Sequence, residues 1–84
     1  MITVYTRNNC PYCDQAKALL ESRGVAYETV NIEEKPEART MLMNAGFKSV
    51  PQIFKGTECI PGGFQGLAKM TTEEFNQKVK GEIL

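Results

Sequence analysis

The chain has 84 residues, of which 42% are hydrophobic and 24% charged, and this length and composition suit one globular domain with a small core. Ten basic and ten acidic residues cancel, so no strong electrostatic field attracts nucleic acid or an anionic membrane. No apolar stretch reaches membrane-spanning length, and no basic leader precedes the first strand-like residues. We therefore expect a cytoplasmic protein that binds neither nucleic acid nor a membrane.

The first half of the chain predicts two strands that alternate with two helices. Apolar and polar residues alternate over residues 2–6, as in a strand, and a helix then begins at Pro11 and ends before a glycine. Residues 25–32 return to strand character, and a second helix opens at Pro36 and closes at Gly46. We expect four residues to form the inward face of this second helix: Ala38, Met41, Leu42 and Ala45.

A hairpin is predicted next. Residues 51–54 begin a third strand, residues 55–57 have the composition of a turn, and residues 58–61 return as a short partner strand. The glycine pair Gly62-Gly63 ends this hairpin.

Two helical segments close the chain. A short one covers residues 67–70, and Thr71 with Glu74 then forms a capping box that opens a last helix with Phe75 and Val79 inward. A strand–helix–strand crossover followed by a strand hairpin gives an α/β fold with a four-stranded mixed sheet and helices on both faces. This element order is that of the thioredoxin-like fold.

The three cysteines allow several kinds of site. A disulfide scaffold is disfavoured by the odd count and by the absence of an export signal. A closed zinc site needs four ligands, and the sequence has no histidine and only Cys59 to join Cys10 and Cys13, so no metal is expected. Catalytic thiols remain as the interpretation of Cys10 and Cys13. Cys59 is either a redox switch or, as buried free cysteines commonly are, a small packed hydrophobe, and we expect the second.

The pair Cys10 and Cys13 lies where the first helix begins. Unpaired backbone N–H groups and the positive end of the helix dipole favour the thiolate at such a position, so the pKa of Cys10 should be lowered. We expect Cys10 to attack disulfides and Cys13 to resolve the product. Arg7 either adds positive charge near the thiolate or is a solvated loop cation, and Tyr12 either walls a cleft or covers the helix.

Three separated segments resemble the glutaredoxin family over nearly the whole chain. They are the strand end with the Cys-Pro-Tyr-Cys motif, a counterpart of the Thr-Val-Pro segment, and a Gly-Gly-aromatic turn. The matching residues run over 6–13, 49–54 and 62–64. The resemblance implies a single glutaredoxin domain over residues 1–84.

The resemblance also implies how glutathione would bind. The Val50-Pro51 bond would be cis, with the Val50 main chain pairing like a strand with the cysteine of glutathione. Glycine at 62 and 63 would let the ligand approach the backbone, and N–H groups of the next helix would receive its carboxylate. The implied glutathione-binding residues are Arg7, Tyr12, Val50, Pro51, Gly63, Phe64 and Gln65.

The sequence departs from the family at three positions. Family members usually carry one or two aspartates after the aromatic residue, whereas this chain has Gln65 and Gly66. An aspartate there would pair with the amino group of glutathione. Because this chain lacks it, the resemblance does not establish a tight preference for glutathione. Pro61 replaces the isoleucine that commonly precedes the glycine pair, and proline removes a strand donor.

The implied function is that of a glutathione-dependent thiol:disulfide oxidoreductase that reduces protein disulfides and glutathione mixed disulfides. It would act as a monomer without a bound cofactor, with glutathione as co-substrate and a ribonucleotide reductase as a protein partner. One alternative is a glutaredoxin-like redoxin that takes its electrons from thioredoxin reductase. Another is a non-catalytic binding module or an iron–sulfur carrier, against which Pro11 argues, because cluster-holding family members have a small residue there.

Overall fold

A computed structural model describes residues 2–81 and contains four strands and four helices within that range. The sheet has the order β2-β1-β3-β4. The elements in chain order are β1 (Ile2–Thr6), α1 (Pro11–Ser22), β2 (Tyr27–Asn31), α2 (Pro36–Asn44), β3 (Gln52–Lys55), β4 (Glu58–Ile60), α3 (Gly63–Lys69) and α4 (Thr72–Lys78).

The sheet is mixed, as the sequence predicts. Strand β1 lies at its centre, with Val4 opposite Thr29 of the parallel strand β2 and opposite Ile53 of the antiparallel strand β3. Strand β4 pairs antiparallel with β3, so that Phe54 faces Cys59. This arrangement confirms the thioredoxin-like fold.

The main core lies between one face of the sheet and helices α1, α3 and α4. Ala16 and Leu20 of α1 and Phe75 of α4 have no exposed surface, as their predicted inward positions require. Complete burial of a side chain such as Phe75 removes enough apolar surface from water to contribute about 1.5–3 kcal/mol. The core residues are Ile2, Val4, Ala16, Leu20, Ile53, Ile60, Leu67, Phe75 and Val79.

Aromatic side chains cover the opposite face of the sheet. The ring of Tyr5 on β1 meets the ring of Phe54 on β3 edge-on, with centroids 5.3 Å apart. Phe47, which follows α2, packs on the same Phe54 ring at 5.7 Å, also edge-on. The segment after α2 is therefore seated on this second face.

The predicted inward face of α2 is largely wrong. Only Leu42 is buried; Ala38 is half-buried, Ala45 is exposed and Met41 is 43% exposed. The helix has nine residues and is followed at once by Phe47, whose ring occupies the apolar sheet surface that the helical stripe was expected to cover. A short helix followed by an aromatic anchor needs few inward residues of its own.

Two other element boundaries also differ from the sequence prediction. Strand β2 is shorter than residues 25–32, because the N–H of Val25 bonds the carbonyl of Leu20 and closes the end of α1 instead of joining the sheet. Helix α3 begins at Gly63 rather than near residue 67, so the second glycine of the pair starts a helix as well as ending the hairpin.

The predicted capping box of α4 is confirmed. The Glu74 N–H donates to the Thr71 hydroxyl over 3.1 Å, and the Thr71 N–H donates to the Glu74 carboxylate over 3.3 Å. The Arg23 guanidinium lies 4.8 Å from the centre of the Phe75 ring, which joins the end of α1 to α4. In the stretch from residue 2 to residue 81, no helix has the length and apolar character needed to cross a bilayer.

Candidate active site

Cys10 is the N-cap residue of α1 and forms a disulfide with Cys13 in the first turn of the helix. Its backbone is extended, Pro11 takes the first helical position, and the Cys13 N–H donates to the Cys10 sulfur over 3.2 Å. Cys10 keeps 7% of its surface exposed and Cys13 only 1%. The outer sulfur is therefore the one that another molecule reaches first.

The loop before Cys10 is tied to the end of β2. The Asn31 side-chain amide donates to the Asn8 side-chain oxygen over 2.9 Å, and the Asn8 N–H donates to the Glu33 carboxylate over 3.2 Å. Asn9 adopts a positive φ of 56°, a conformation that asparagine tolerates better than most residues. These contacts fix the direction in which the chain enters the helix, and so the position of the Cys10 sulfur.

A groove beside α1 gathers most of the predicted substrate residues. The Val50-Pro51 bond is cis, and an open groove of about 670 Å³ borders it. The rings of Tyr12 and Phe64 both line this groove and lie next to each other, tilted by 35° with centroids 6.2 Å apart. Its lining includes six of the seven predicted glutathione contacts: Tyr12, Val50, Pro51, Gly63, Phe64 and Gln65. The seventh, Arg7, is exposed and lies in the adjoining pocket, which shares Val50.

The chain's own packing accounts for the glycine pair. Gly63 has φ +56°, and a Cβ at this position would lie 2.8 Å from the carbonyl oxygen of Pro51. Gly62 has φ +89°, and a Cβ there would lie 2.8 Å from the Cα of Gly66. Sequence reasoning assigned these glycines to ligand approach, whereas here the close neighbours are Pro51 and Gly66.

A family model described as glutaredoxin matches residues 2–60 of the chain, which include the cysteine pair and the cis-proline segment. The chain belongs to the glutaredoxin family. It is 44% identical over 55 residues to the glutaredoxin-like protein NrdH of Salmonella typhimurium, a match that covers 66% of this chain and 68% of that protein. It is 40% identical over 62 residues to glutaredoxin 3 of Escherichia coli, covering 73% and 75% respectively.

A solved relative shares the architecture of this glutaredoxin. The structure of Escherichia coli NrdH-redoxin superposes with a TM-score of 0.71 and 37% identity, covering 77% of this chain and 84% of that one. That relative is described as a glutaredoxin-like protein with a thioredoxin-like activity profile. Family membership makes the chain a thiol–disulfide oxidoreductase with Cys10 and Cys13 as its redox-active disulfide.

Two of this glutaredoxin's departures from the family are coupled in the structure. A Cβ on Gly66 would overlap the carbonyl oxygen of Pro61, so residue 66 has no room for a side chain while the hairpin exit keeps this path. The Gly66 N–H also bonds the Gly62 carbonyl over 3.0 Å. An aspartate, the residue that the family often has near here, does not fit at position 66.

A second pocket, of about 430 Å³, lies on the α2 side of Val50 and contains residues that sequence reasoning missed. Arg39 and Lys48 line it together with Arg7, and Glu33 is the one acidic residue in the lining within the described range 2–81. In the sequence, Arg39 lies in the second helix and Lys48 directly precedes Ser49. No sequence pattern indicates that these two side chains lie close together. We call this site the basic pocket.

Cys59 lies on β4 and lines the groove beside the cis-proline. It is half-buried, its thiol donates to the Ile60 carbonyl over 3.6 Å, and burial raises its pKa above the ordinary value. A thiol held in the neutral form is a weak nucleophile, which agrees with a packing role. Within residues 2–81, no three or more histidine, cysteine or acidic residues are grouped so that they could hold a metal ion.

Proposed function

We propose that this glutaredoxin reduces protein disulfides and glutathione mixed disulfides, with glutathione as the co-substrate that restores its dithiol. The observation that carries the proposal is the position of Cys10 at the N-cap of α1, two residues before Tyr12, which borders a groove together with the cis Val50-Pro51 segment. The Cys10 sulfur can then attack a ligand whose backbone pairs with the open main chain at Val50.

The proposed reaction begins with the reduced pair. The Cys10 thiolate attacks one sulfur of a protein disulfide, forms a mixed disulfide and displaces the other sulfur of the target as a thiolate. The Cys13 thiol, after losing its proton, attacks the Cys10 sulfur and releases the second target thiol. The two electrons have then passed to the target, and the Cys10–Cys13 disulfide is the state that the structure contains.

Glutathione restores the pair in two exchanges. One glutathione thiolate attacks the disulfide to give a glutathionyl group on Cys10, and a second attacks that group and leaves as oxidised glutathione. For a glutathionylated target, Cys10 takes the glutathionyl group in a single exchange and does not need Cys13.

The groove has features that suit a short peptide thiol. Among residues 2–81, neither the N–H nor the carbonyl of Val50 takes part in a hydrogen bond, so both can pair with an extended ligand. Tyr12 and Phe64 supply apolar walls, and Gln65 at the start of α3 is exposed and can hydrogen-bond a ligand. Arg7 supplies a positive charge on the other side of Val50.

A second candidate electron donor is thioredoxin reductase. Among residues 2–81, no charged side chain lines the groove on the α3 side of Val50, so these residues offer no carboxylate to the ammonium group of glutathione. The resemblance to NrdH, with its thioredoxin-like activity profile, favours the same donor. Both donors would serve the same dithiol chemistry at Cys10 and Cys13.

The remaining parts of the proposal concern partners and place of action. A ribonucleotide reductase is the protein substrate that the family resemblance suggests, and such a substrate needs the dithiol route through Cys13. We propose a monomer that works in the cytoplasm, where glutathione and reductases keep thiols reduced. No bound cofactor enters the proposed reaction.

The test is reduction of a glutathione mixed disulfide, followed by NADPH oxidation with either of two donor systems. One contains glutathione and glutathione reductase, and the other contains thioredoxin reductase. We expect turnover with glutathione that is lost in Cys10→Ser. Turnover with thioredoxin reductase alone would show that this enzyme, and not glutathione, is the electron donor. No turnover with either system would contradict the proposal and favour a non-catalytic binding module.

A further inference from the structure

Three residues close a ring of hydrogen bonds beside the loop that leads to Cys10. The Asn8 N–H donates to the Glu33 carboxylate over 3.2 Å, and the Glu33 N–H donates to the Asn31 side-chain oxygen over 2.9 Å. The Asn31 side-chain amide closes the ring by donating to the Asn8 side-chain oxygen over 2.9 Å. Each member of this Asn8–Asn31–Glu33 ring therefore donates one bond and accepts one bond.

The sheet holds the side of the ring that faces Asn8. Asn31 is the last residue of β2 and lies opposite Thr6 of β1, and the Ile32 N–H donates to the Thr6 carbonyl over 2.8 Å. The Asn31 carbonyl also accepts the N–H groups three and four residues later, over 3.1 and 3.0 Å, which closes the turn that follows β2. Asn31 and Glu33 thus belong to a fixed part of the fold, and the ring restrains Asn8 against it.

The loop before Cys10 has few other attachments. Within the described part of the chain, no further hydrogen bond joins residues 7–9 to the rest of the protein. Only Asn9 separates Asn8 from Cys10, so a displacement of Asn8 reaches the N-cap directly. Loop segments without such bonds are the more mobile parts of a fold. The ring therefore controls where the Cys10 backbone lies.

The disulfide and the ring restrain Cys10 in different redox states. In the oxidised protein, the bond to Cys13 holds the Cys10 sulfur. Reduction breaks that bond, and the helix start then favours the thiolate only if the sulfur stays beside the Cys13 N–H, its donor at 3.2 Å. The ring contains no cysteine, so reduction leaves its bonds in place.

We propose that the ring positions the Cys10 sulfur beside the Cys13 N–H in the reduced protein, and that its three members are positioning residues for the attack on disulfides. Their bonds are with one another, and their effect reaches Cys10 through the backbone of the loop. The inference rests on the proposed function, because it concerns the sulfur that is proposed to attack.

The test measures the Cys10 thiol by itself, in a parent that carries Cys13→Ser with Cys59→Ser and keeps the backbone N–H of residue 13. Iodoacetamide alkylates the thiolate and releases iodide, so the dependence of this rate on pH gives the pKa of Cys10. The reagent is neutral, which avoids any effect of surface charge on its binding.

Four variants of this parent are compared. Asn31→Ala removes two of the three bonds, and Glu33→Ala removes the acceptor of the Asn8 N–H. Glu33→Gln removes the charge but keeps an acceptor oxygen. Asn44→Ala is the matched control, because it removes an exposed asparagine at the end of α2, outside the ring.

We expect Asn31→Ala and Glu33→Ala to raise the pKa of Cys10. Alkylation should be about three- to tenfold slower at a pH below the parent midpoint, and little changed at high pH, where the thiol is ionised in every variant. Removal of a negative charge alone would lower this pKa, so the direction separates position from charge. Glu33→Gln should not raise the pKa, and Asn44→Ala should match the parent.

Four results would overturn the inference. A parent-like pKa in either Asn31→Ala or Glu33→Ala would show that the ring does not position Cys10, and a lowered pKa in Glu33→Ala would assign the effect to charge. Equal rises in Glu33→Gln and Glu33→Ala would show that the bond to the Asn8 N–H is not the cause. An equal rise in Asn44→Ala would show that the effect is not specific to the ring.

Urea denaturation establishes which variants are folded under the assay conditions. If Asn31→Ala is unfolded, Glu33→Ala decides the matter, because it removes one exposed hydrogen bond. The proposed function fails separately: a protein with its native cysteines that turns over no glutathione mixed disulfide with either electron donor would overturn it, whatever the pKa values of the variants.

Discussion

The backbone N–H of Cys13 donates a hydrogen bond to the sulfur of Cys10 over 3.2 Å. The same N–H belongs to the first turn of α1, where donors lack partners within the helix, and it points at the atom that becomes the thiolate on reduction. A charged acceptor gains more from such a bond than a neutral one. The helix start therefore favours the ionised form of Cys10.

We predict that the pKa of the reduced Cys10 thiol lies below the ordinary cysteine value of about 8.5. The variant Cys13→Ser with Cys59→Ser leaves Cys10 as the one thiol, and the pH dependence of its alkylation rate gives this pKa. The same titration of the variant that keeps only Cys59 should have a higher midpoint, because burial raises the pKa of that thiol. A Cys10 midpoint at or above 8.5 would contradict the prediction.

Gly63→Ala should destabilise the protein more than Gly24→Ala. Gly63 has φ +56° and Gly24 has φ +70°. A Cβ on Gly63 would lie 2.8 Å from the Pro51 carbonyl oxygen, whereas a Cβ on Gly24 would have no neighbouring atom of residues 2–81 within 4 Å. We expect a loss of about 1 kcal/mol at Gly24 from backbone strain, and about 1–3 kcal/mol more at Gly63 from the close contact. Urea denaturation measures both losses, and equal values would reject the packing role of Gly63.

Gln65→Asp should lower the KM for glutathione about three- to tenfold, because a carboxylate beside the groove can pair with the ammonium group of glutathione. Position 65 is exposed and has room for the change, whereas a side chain at Gly66 would overlap the Pro61 carbonyl. Gln65→Asn has the same size without the charge and should leave KM close to that of the parent. A similar KM in all three proteins would argue against glutathione binding at this end of the groove.

Tyr27 provides a prediction on pH and stability. Its hydroxyl donates to the Glu21 carboxylate over 2.6 Å, and this bond, with burial and the charge of Glu21, raises the pKa of Tyr27 to about 12. The folded protein holds the tyrosine proton more tightly than the unfolded chain, so the stabilisation is complete below pH 10 and is lost as the pH rises towards 12.

Urea denaturation of the parent and of Tyr27→Phe between about pH 9 and pH 11 tests this point. The free energy of unfolding should fall more steeply with pH in the parent than in Tyr27→Phe. Parallel curves would show that the Tyr27–Glu21 bond contributes no pH-dependent stability.

Local patterns predicted the parts of the fold that depend on neighbouring residues. Strand β1 begins and ends as alternation predicts, and the Thr71–Glu74 capping box fixes the start of α4. The predicted face of α2 failed because Phe47, beyond the helix, covers the sheet surface in place of Met41. Helical periodicity considers only the residues of the helix, so it does not reveal that a residue beyond the helix, here Phe47, covers the sheet surface.

In the candidate site too, the sequence predicted the features that follow a local motif and missed those that depend on distant parts of the chain. Motif resemblance identified the cis bond at Pro51 and six residues that line one groove. It did not find Arg39 or Lys48, whose meeting with Arg7 depends on the path of the chain between α2 and β3. It also could not relate Pro61 to Gly66, because their contact arises where the hairpin exit passes α3.

In the proposed reaction, Cys10 is the attacking sulfur and Cys13 the resolving one. The most direct measurement incubates reduced Cys13→Ser with oxidised glutathione and locates the glutathionyl group by peptide mass spectrometry. Cys10 should carry it, since its thiolate attacks the disulfide, releases one glutathione and has no Cys13 thiol to resolve the product. The variant should also keep turnover of glutathione mixed disulfides and lose most reduction of protein disulfides. A glutathionyl group on Cys59, or none on Cys10, would contradict the account.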